Sequence, residues 1–265
     1  MNAPPKLLLS TAPFFRKPLR EAFRHARAAG YEAVEVMVTQ DPATQDGQTM
    51  LELAGEFDLE IEAIHAPFLL VTRRVWGTDP IEKILRSVQV AETVGIPLVV
   101  VHPPYRWQRR YRRWVAESLP EYAARTGVII GVENMFPLKV RGDRGIRFHH
   151  GQDFDSLDGY PALVLDTSHL AVAGFDLLEA YERYRGKAVH FHVSNNAGRG
   201  WDSHLPVYEG VLPLDELLGR IRADEFAGTV SLELDLRRFI GDDAATQEVL
   251  VRNREFCEQH LGVRT

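Results

Sequence analysis

The stretch LVVVHPPYRWQRRYRRWVAESLPEYAARTGVIIGVE, Leu98–Glu133, decides the fold. It opens on the apolar run Leu98–His102, continues through helical spacing over Arg112–Thr126, and meets Gly127 before a second apolar run, Ile129–Glu133. Unbroken Val, Ile and Leu runs mark strands covered on both faces. A glycine after the helical segment suits the left-handed residue that closes a helix. Strand, helix and strand in this order form a parallel βαβ unit, and both strands end on an ionisable residue, His102 and Glu133.

The unit recurs outward in both directions. Further strand runs are Leu7–Ser10, Ala33–Val36, Ile61–His65, Leu163–Asp166, Ala188–Ser194 and Thr229–Glu233. Helical patterns cover Leu19–Ala29, Pro80–Val94, Leu214–Arg222 and Ala244–His260, with Gly30 and Gly95 following the first two. Eight strands alternating with helices predict an α/β fold, a single (β/α)8 TIM barrel. It is expected to fill residues 1–265 as one domain, with its active site at the C-terminal ends of the strands. A doubly wound open sheet would need a glycine-rich phosphate turn after an early strand, whereas the first strand runs into Ser10-Thr11-Ala12-Pro13.

Composition agrees. The chain has 265 residues, 45% hydrophobic and 26% charged, which is ordinary for a globular protein and excludes a disordered one. Cys257 is the single cysteine, so no internal disulfide forms, and it is expected to be a small buried hydrophobe. The apolar run Leu7–Leu9 is too short for a signal peptide, and no run is long enough to span a bilayer. The expected setting is cytoplasmic, without membrane association. A net charge of −6 speaks against a general nucleic-acid binder.

The ionisable residues carry the functional reading. Successive strands end in His65, His102, Glu133, Asp166, His192 and Glu233, each about one βα unit after the last. In a barrel these positions converge on the mouth where active sites are built. Apolar residues precede every one of them, so packing alone does not account for the series. Asp166-Thr-Ser-His169 adds a histidine after strand six, and Asp202-Ser-His204 places two more ligand-type residues beyond strand seven. Imidazole plus carboxylate without thiolate suits Zn²⁺, Mn²⁺, Mg²⁺, Co²⁺ or Fe²⁺. Carboxylates lean toward Mn²⁺ or Mg²⁺ and histidines toward Zn²⁺, and both are present.

His65-Ala-Pro, Val101-His102-Pro, Gly131-Val-Glu133-Asn134, Leu165-Asp166-Thr-Ser-His169, Val189-His-Phe-His192 and Leu232-Glu233 resemble the xylose isomerase-like TIM-barrel superfamily. Sugar isomerases and epimerases, inosose dehydratases and endonuclease IV-type enzymes share that superfamily. The resemblance runs from about Leu7 to Glu258. It implies a divalent metal held by Glu133, Asp166, His192 and Glu233, with Glu133 and Glu233 also acting as catalytic acid and base. Such an enzyme would isomerise or epimerise a sugar, sugar acid or sugar phosphate by removing and returning a proton. An inosose-dehydratase-like lyase begins with the same proton abstraction.

The endonuclease IV-type pattern adds His65, His102, His169, Asp202 and His204 as further metal or substrate ligands. These would allow up to three metals and a multinuclear zinc phosphodiesterase acting on nucleic acid. The chain departs from that pattern at Phe68, where tyrosine is usual, and Leu69–Arg74 lacks the asparagine that follows. One metal site and a carbohydrate substrate are the expectation, with a homo-oligomer as in many relatives.

Basic residues gather in loops that follow the strand ends: Arg73 and Arg74, then Arg106, Arg109, Arg110, Arg112 and Arg113, then Lys139, Arg141, Arg144 and Arg147. Arginine offers bidentate donors to carboxylate or phosphate, which points to an anionic or phosphorylated carbohydrate. Arg141 and Arg147, with Trp107 and Trp201, are the candidate substrate contacts, and His169 is another. The alternative for Arg109–Arg113 is the solvated start of a helix. Glu35 reads as structural, able to orient a core ligand. His190 is expected to face away from His192 and pack against a helix, and His149 and His150 to lie on the surface.

Overall fold

The computed structural model describes residues 4–68, 72, 74–139, 145–146 and 148–263. Its barrel strands are β1 (Lys6–Ser10), β2 (Ala33–Met37), β3 (Glu60–His65), β4 (Leu98–Val101), β5 (Ile129–Glu133), β6 (Leu163–Asp166), β7 (Ala188–Val193) and β8 (Thr229–Leu232). Each pairs in parallel with the next, and β8 pairs back onto β1 to close the barrel. Between them run α1 (Leu19–Ala28), α2 (Gly47–Glu56), α3 (Pro80–Val94), α4 (Arg109–Glu117), α5 (Leu119–Thr126), α6 (Phe154–Leu157), α7 (Thr167–Ala173), α8 (Leu177–Tyr184), α9 (Leu214–Ala223) and α10 (Asp243–Leu261). No helix among the described residues is long and apolar enough to cross a membrane.

Alternation along the strands sorts the core into two parts. Leu8, Ala33, Ala63, Leu98, Val100 and Val164 plug the barrel interior. Leu7, Leu9, Val34, Val36, Val99 and Val101 face outward into the larger core shared with the helices. The interior is tight. A Cβ on Gly131 would come within 2.7 Å of Val164 Cγ2 and 3.1 Å of Val189 Cγ2. Gly131→Val is therefore expected to destabilise by about 1–3 kcal/mol through overpacking, read as a lower urea midpoint at unchanged slope.

Turn chemistry explains where the helices start and stop. Asp79 accepts from Ile81 N at 2.9 Å ahead of Pro80, and Gly95 closes α3 at φ 74°. The single helix expected over Arg112–Thr126 is instead two, because Pro120 has no N–H to donate and its ring clashes with the carbonyl four residues back. Arg112 and Arg113 lie exposed on α4, and Arg110 pairs with Asp79 at 2.6 Å. That run is the solvated start of a helix.

Cys257 is buried, as expected. The histidine pair of β7 differs from expectation. Residues two apart on a strand share a face, so His190 points inward with His192 rather than toward a helix. His149 is also buried rather than on the surface, and its Nδ1 lies 3.1 Å from the Pro103 carbonyl.

Candidate active site

Four strand ends build the centre of the site. His192 on β7 turns Nδ1 toward three carboxylates: Glu133 Oε1 at 3.1 Å, Glu233 Oε2 at 3.2 Å and Asp166 Oδ2 at 3.9 Å. Asp166 ends β6 and starts α7 in one step, since its Oδ1 accepts from His169 N at 2.7 Å while Oδ2 is left for the centre. Asn134 holds Asp166 from β5, accepting from its N–H at 2.7 Å and donating to its carbonyl at 3.2 Å. The Asn134 carbonyl accepts from His169 Nδ1 at 2.9 Å. Asn134 follows directly on Glu133, but only the folded barrel shows it bridging two strands.

The remaining histidines surround this centre. His102 Nε2 and His65 Nε2 lie 3.1 and 3.4 Å from Glu133 Oε2. On the other side, Asp202 Oδ2 sits 2.8 Å from His204 Nε2 and 3.5 Å from His169 Nε2, while Ser168 donates to Asp202 Oδ1 at 2.6 Å. All nine ligand-type residues named from the sequence therefore meet at one end of the barrel.

Both sets can hold metal on the chemistry of their donors. Ligand atoms of Asp166, His192 and Glu233 lie within 4.8 Å of one another, as do those of Asp166, His169 and His204. Asp166 Oδ2 and Glu233 Oε2 are buried and make no hydrogen bond. Buried carboxylate oxygens ordinarily find a donor, so oxygens left without one fit a cation site.

The environment drives the two glutamates apart. Burial raises Glu133, but His192, His102 and His65 outweigh it and hold its carboxyl well below the usual carboxylate range. Burial raises Glu233 above its ordinary value despite His192 and His204 nearby. Burial opposes a charge on His169, yet Asp166 and Asp202 push it up to about 10.

A cleft of about 330 Å³ opens over the cluster. Its walls include four aromatic rings, Phe15, Phe68, Tyr105 and Phe136, alongside Glu133 and Glu233. Phe68 stacks on His102 at 4.5 Å between centroids, and Phe136 covers His169 at 4.7 Å. Two loops close one side: Arg106 N donates to the Phe148 carbonyl at 2.7 Å, and His150 N to the Pro104 carbonyl at 2.9 Å. His149 thereby packs on Tyr105, with ring centroids 3.8 Å apart.

Of the expected substrate contacts, His169 lines the cleft and the two tryptophans do not. Trp107 stacks on Tyr105 at 4.6 Å but is not part of the cleft wall, and Trp201 is exposed and not part of that wall either. Arg73, Arg141, Arg144 and Arg147 lie outside the described residues, as does the side chain of Lys139. Among the described residues the arginine at the cleft is Arg237, from the loop after β8, held by Asp235 through Nε at 2.8 Å and Nη2 at 2.5 Å. No periodicity marks a loop arginine of this kind.

Known proteins share this architecture. An uncharacterized protein of Mycobacterium leprae is 36% identical over 276 residues, covering 97% of this chain and 98% of its own. Among solved structures, a D-tagatose 3-epimerase-like protein superposes with a TM-score of 0.71 at 20% identity, covering 96% of this chain and 98% of that one. The 3-keto-D-glucoside 4-epimerase of E. coli gives 0.68 at 18%, covering 95% and 99%. A family model described as xylose isomerase-like TIM barrel matches residues 23–256, and the chain belongs to that family.

Proposed function

We propose that the protein is a divalent-metal-dependent isomerase or epimerase of a small carbohydrate. The observation that carries this reading is the convergence of Glu133, Asp166 and Glu233 on His192 Nδ1 at the floor of an aromatic-walled cleft. These four residues would hold the metal, which when bound polarises a carbonyl or hydroxyl and lowers the cost of the developing negative charge. Glu133 and Glu233 reach the cluster from different strands and both line the cleft, so one can take a proton from carbon while the other returns it. The cleft volume lies at the small end of ligand sites and suits a monosaccharide better than a duplex. Phe15, Phe68, Tyr105 and Phe136 offer apolar faces for sugar C–H groups and restrict water at the reacting carbon. Arg237, whose Nε and Nη2 already bind Asp235, keeps Nη1 for an anionic substituent at the mouth. The printed names of the two structural neighbours, one a 3-keto-D-glucoside 4-epimerase and the other a D-tagatose 3-epimerase-like protein, fit the same reaction class.

The test is incubation of the metal-loaded protein with a panel of ketoses, keto acids and their phosphates in D₂O. Solvent deuterium should enter at the carbon next to the carbonyl, with formation of an epimer or isomer. Exchange in none of the panel would count against the proposal. A product lighter by one water would reassign the protein to a lyase of the inosose-dehydratase kind.

A second reading rests on the Asp202, His204 and His169 group beside the first, together with His65 and His102. A multinuclear zinc phosphodiesterase would use all nine residues. It would bind about three zinc ions per chain and cleave DNA at abasic sites, where the isomerase would bind one metal and leave DNA intact.

A further inference from the structure

Below the candidate metal cluster, the barrel interior contains a polar chain that the proposed chemistry does not use. Thr229 Oγ1 lies 2.5 Å from His190 Nδ1, and His190 Nε2 lies 3.1 Å from Glu35 Oε2. Both Glu35 oxygens are 3.1 Å from His192 Nε2. Glu35, His190 and His192 are all fully buried. A carboxylate here is costly, since neighbouring interior positions are filled by Ala33, Ala63 and Val164, and an apolar side chain would pack without desolvating a charge.

The strand register points the same way. The barrel pairing slips at two places. One is between β2 and β3, where Val34 pairs with Ile61 but Glu35 with Ala63. The other is between β6 and β7, where Leu163 pairs with Ala188 but Val164 with His190. The extra residues are Glu62 and Val189, so one slip adjoins Glu35 and the other adjoins His190. Bulges re-aim side chains and bend the strand that carries them. The second lets Val189 join the interior plug while His190 also points inward.

We infer that Thr229, His190 and Glu35 form a positioning relay that fixes how His192 presents Nδ1 to the metal. Glu35 accepts from His192 Nε2–H, which leaves the Nδ1 lone pair aimed at the point shared by Glu133, Asp166 and Glu233. His190 holds the Glu35 carboxylate in that plane, and Thr229 holds His190. The relay rests on the proposed metal role of His192 and assigns a purpose to residues which that role alone does not require. Carboxylates hydrogen-bonded to a ligating histidine fix its ring and raise its basicity as a ligand.

The test is Co²⁺ titration of metal-free protein, followed by visible absorption, with thermal melting of the metal-free form alongside. The Kd for Co²⁺ should rise 10- to 100-fold in Glu35→Gln. In Thr229→Val, a near-isosteric change that keeps the fold even if Glu35→Gln does not, it should rise roughly threefold. A purely structural role would lower the melting temperature of these variants and leave Kd for Co²⁺ unchanged, and that result overturns the relay. His192→Asn separates the two layers. If the wild type binds Co²⁺ and His192→Asn does not, the metal reading stands and the relay is judged on Glu35→Gln and Thr229→Val. If wild type and His192→Asn alike fail to bind, the metal reading falls and the relay with it.

Discussion

Replacing Glu133 or Glu233 by glutamine is expected to lower turnover of the substrate found by deuterium exchange by about 10²- to 10⁴-fold for each change, the range for a lost general acid or base. Glutamine keeps the shape and one acceptor oxygen, so the variants should fold and melt near the wild type. What they lose is the ability to take up and release a proton, together with the negative charge of one proposed metal ligand. Single-turnover measurements in D₂O should separate the two glutamates. With one replaced, exchange of the substrate hydrogen can persist while inversion fails; with the other, neither occurs. The different surroundings of the pair, histidine-ringed Glu133 and the less compensated Glu233, give a physical basis for such a split. Turnover unchanged in both variants, with metal still bound, would remove them from the chemistry.

Stripping the metal is the second large effect. Chelator treatment should abolish turnover, and adding back Mn²⁺, Co²⁺ or Zn²⁺ at about one hundred times Kd should stabilise the fold by about 2.7 kcal/mol. In a chain of this size that corresponds to a rise of about 5–10 °C in Tm. The rise reflects binding to a site that exists only when folding gathers Glu133, Asp166 and Glu233 around one point, with Asp166 Oδ2 and Glu233 Oε2 buried and not hydrogen-bonded. His192→Asn should melt at a temperature that added metal barely moves. An enzyme whose activity and Tm ignore both chelator and metal would need a different account of the cluster.

Much of this was legible in one chain of letters, for an identifiable reason. Parallel strands read as solid apolar runs, so a His or carboxylate at the end of a run is conspicuous, and each such residue comes to the mouth of the barrel. Contacts between distant loops leave no such trace. The approach of Phe148–His150 to Pro104–Arg106 buries His149 and leaves Trp107 outside the cleft, and no periodicity in either segment announces it. The seven-residue α7, buried on nearly every side, is too brief to show an amphipathic repeat. The inward turn of His190 follows from the two-residue period itself. Its partner Glu35 lies 155 positions away in sequence, beyond the reach of any local pattern.

Asp166 shows how tightly such a barrel limits its own descendants. One oxygen begins a helix and the other faces the candidate metal position. Asparagine could still begin the helix but would weaken the cation site, and alanine would lose both at once. A lineage exploring new metals or substrates has little freedom at this residue, and variation is cheaper in the loops that wall the cleft. Substitution is then costly at the floor of the site and cheaper at its rim. New specificities on this scaffold should accordingly be sought at positions such as Phe15, Phe68, Phe136 and Arg237.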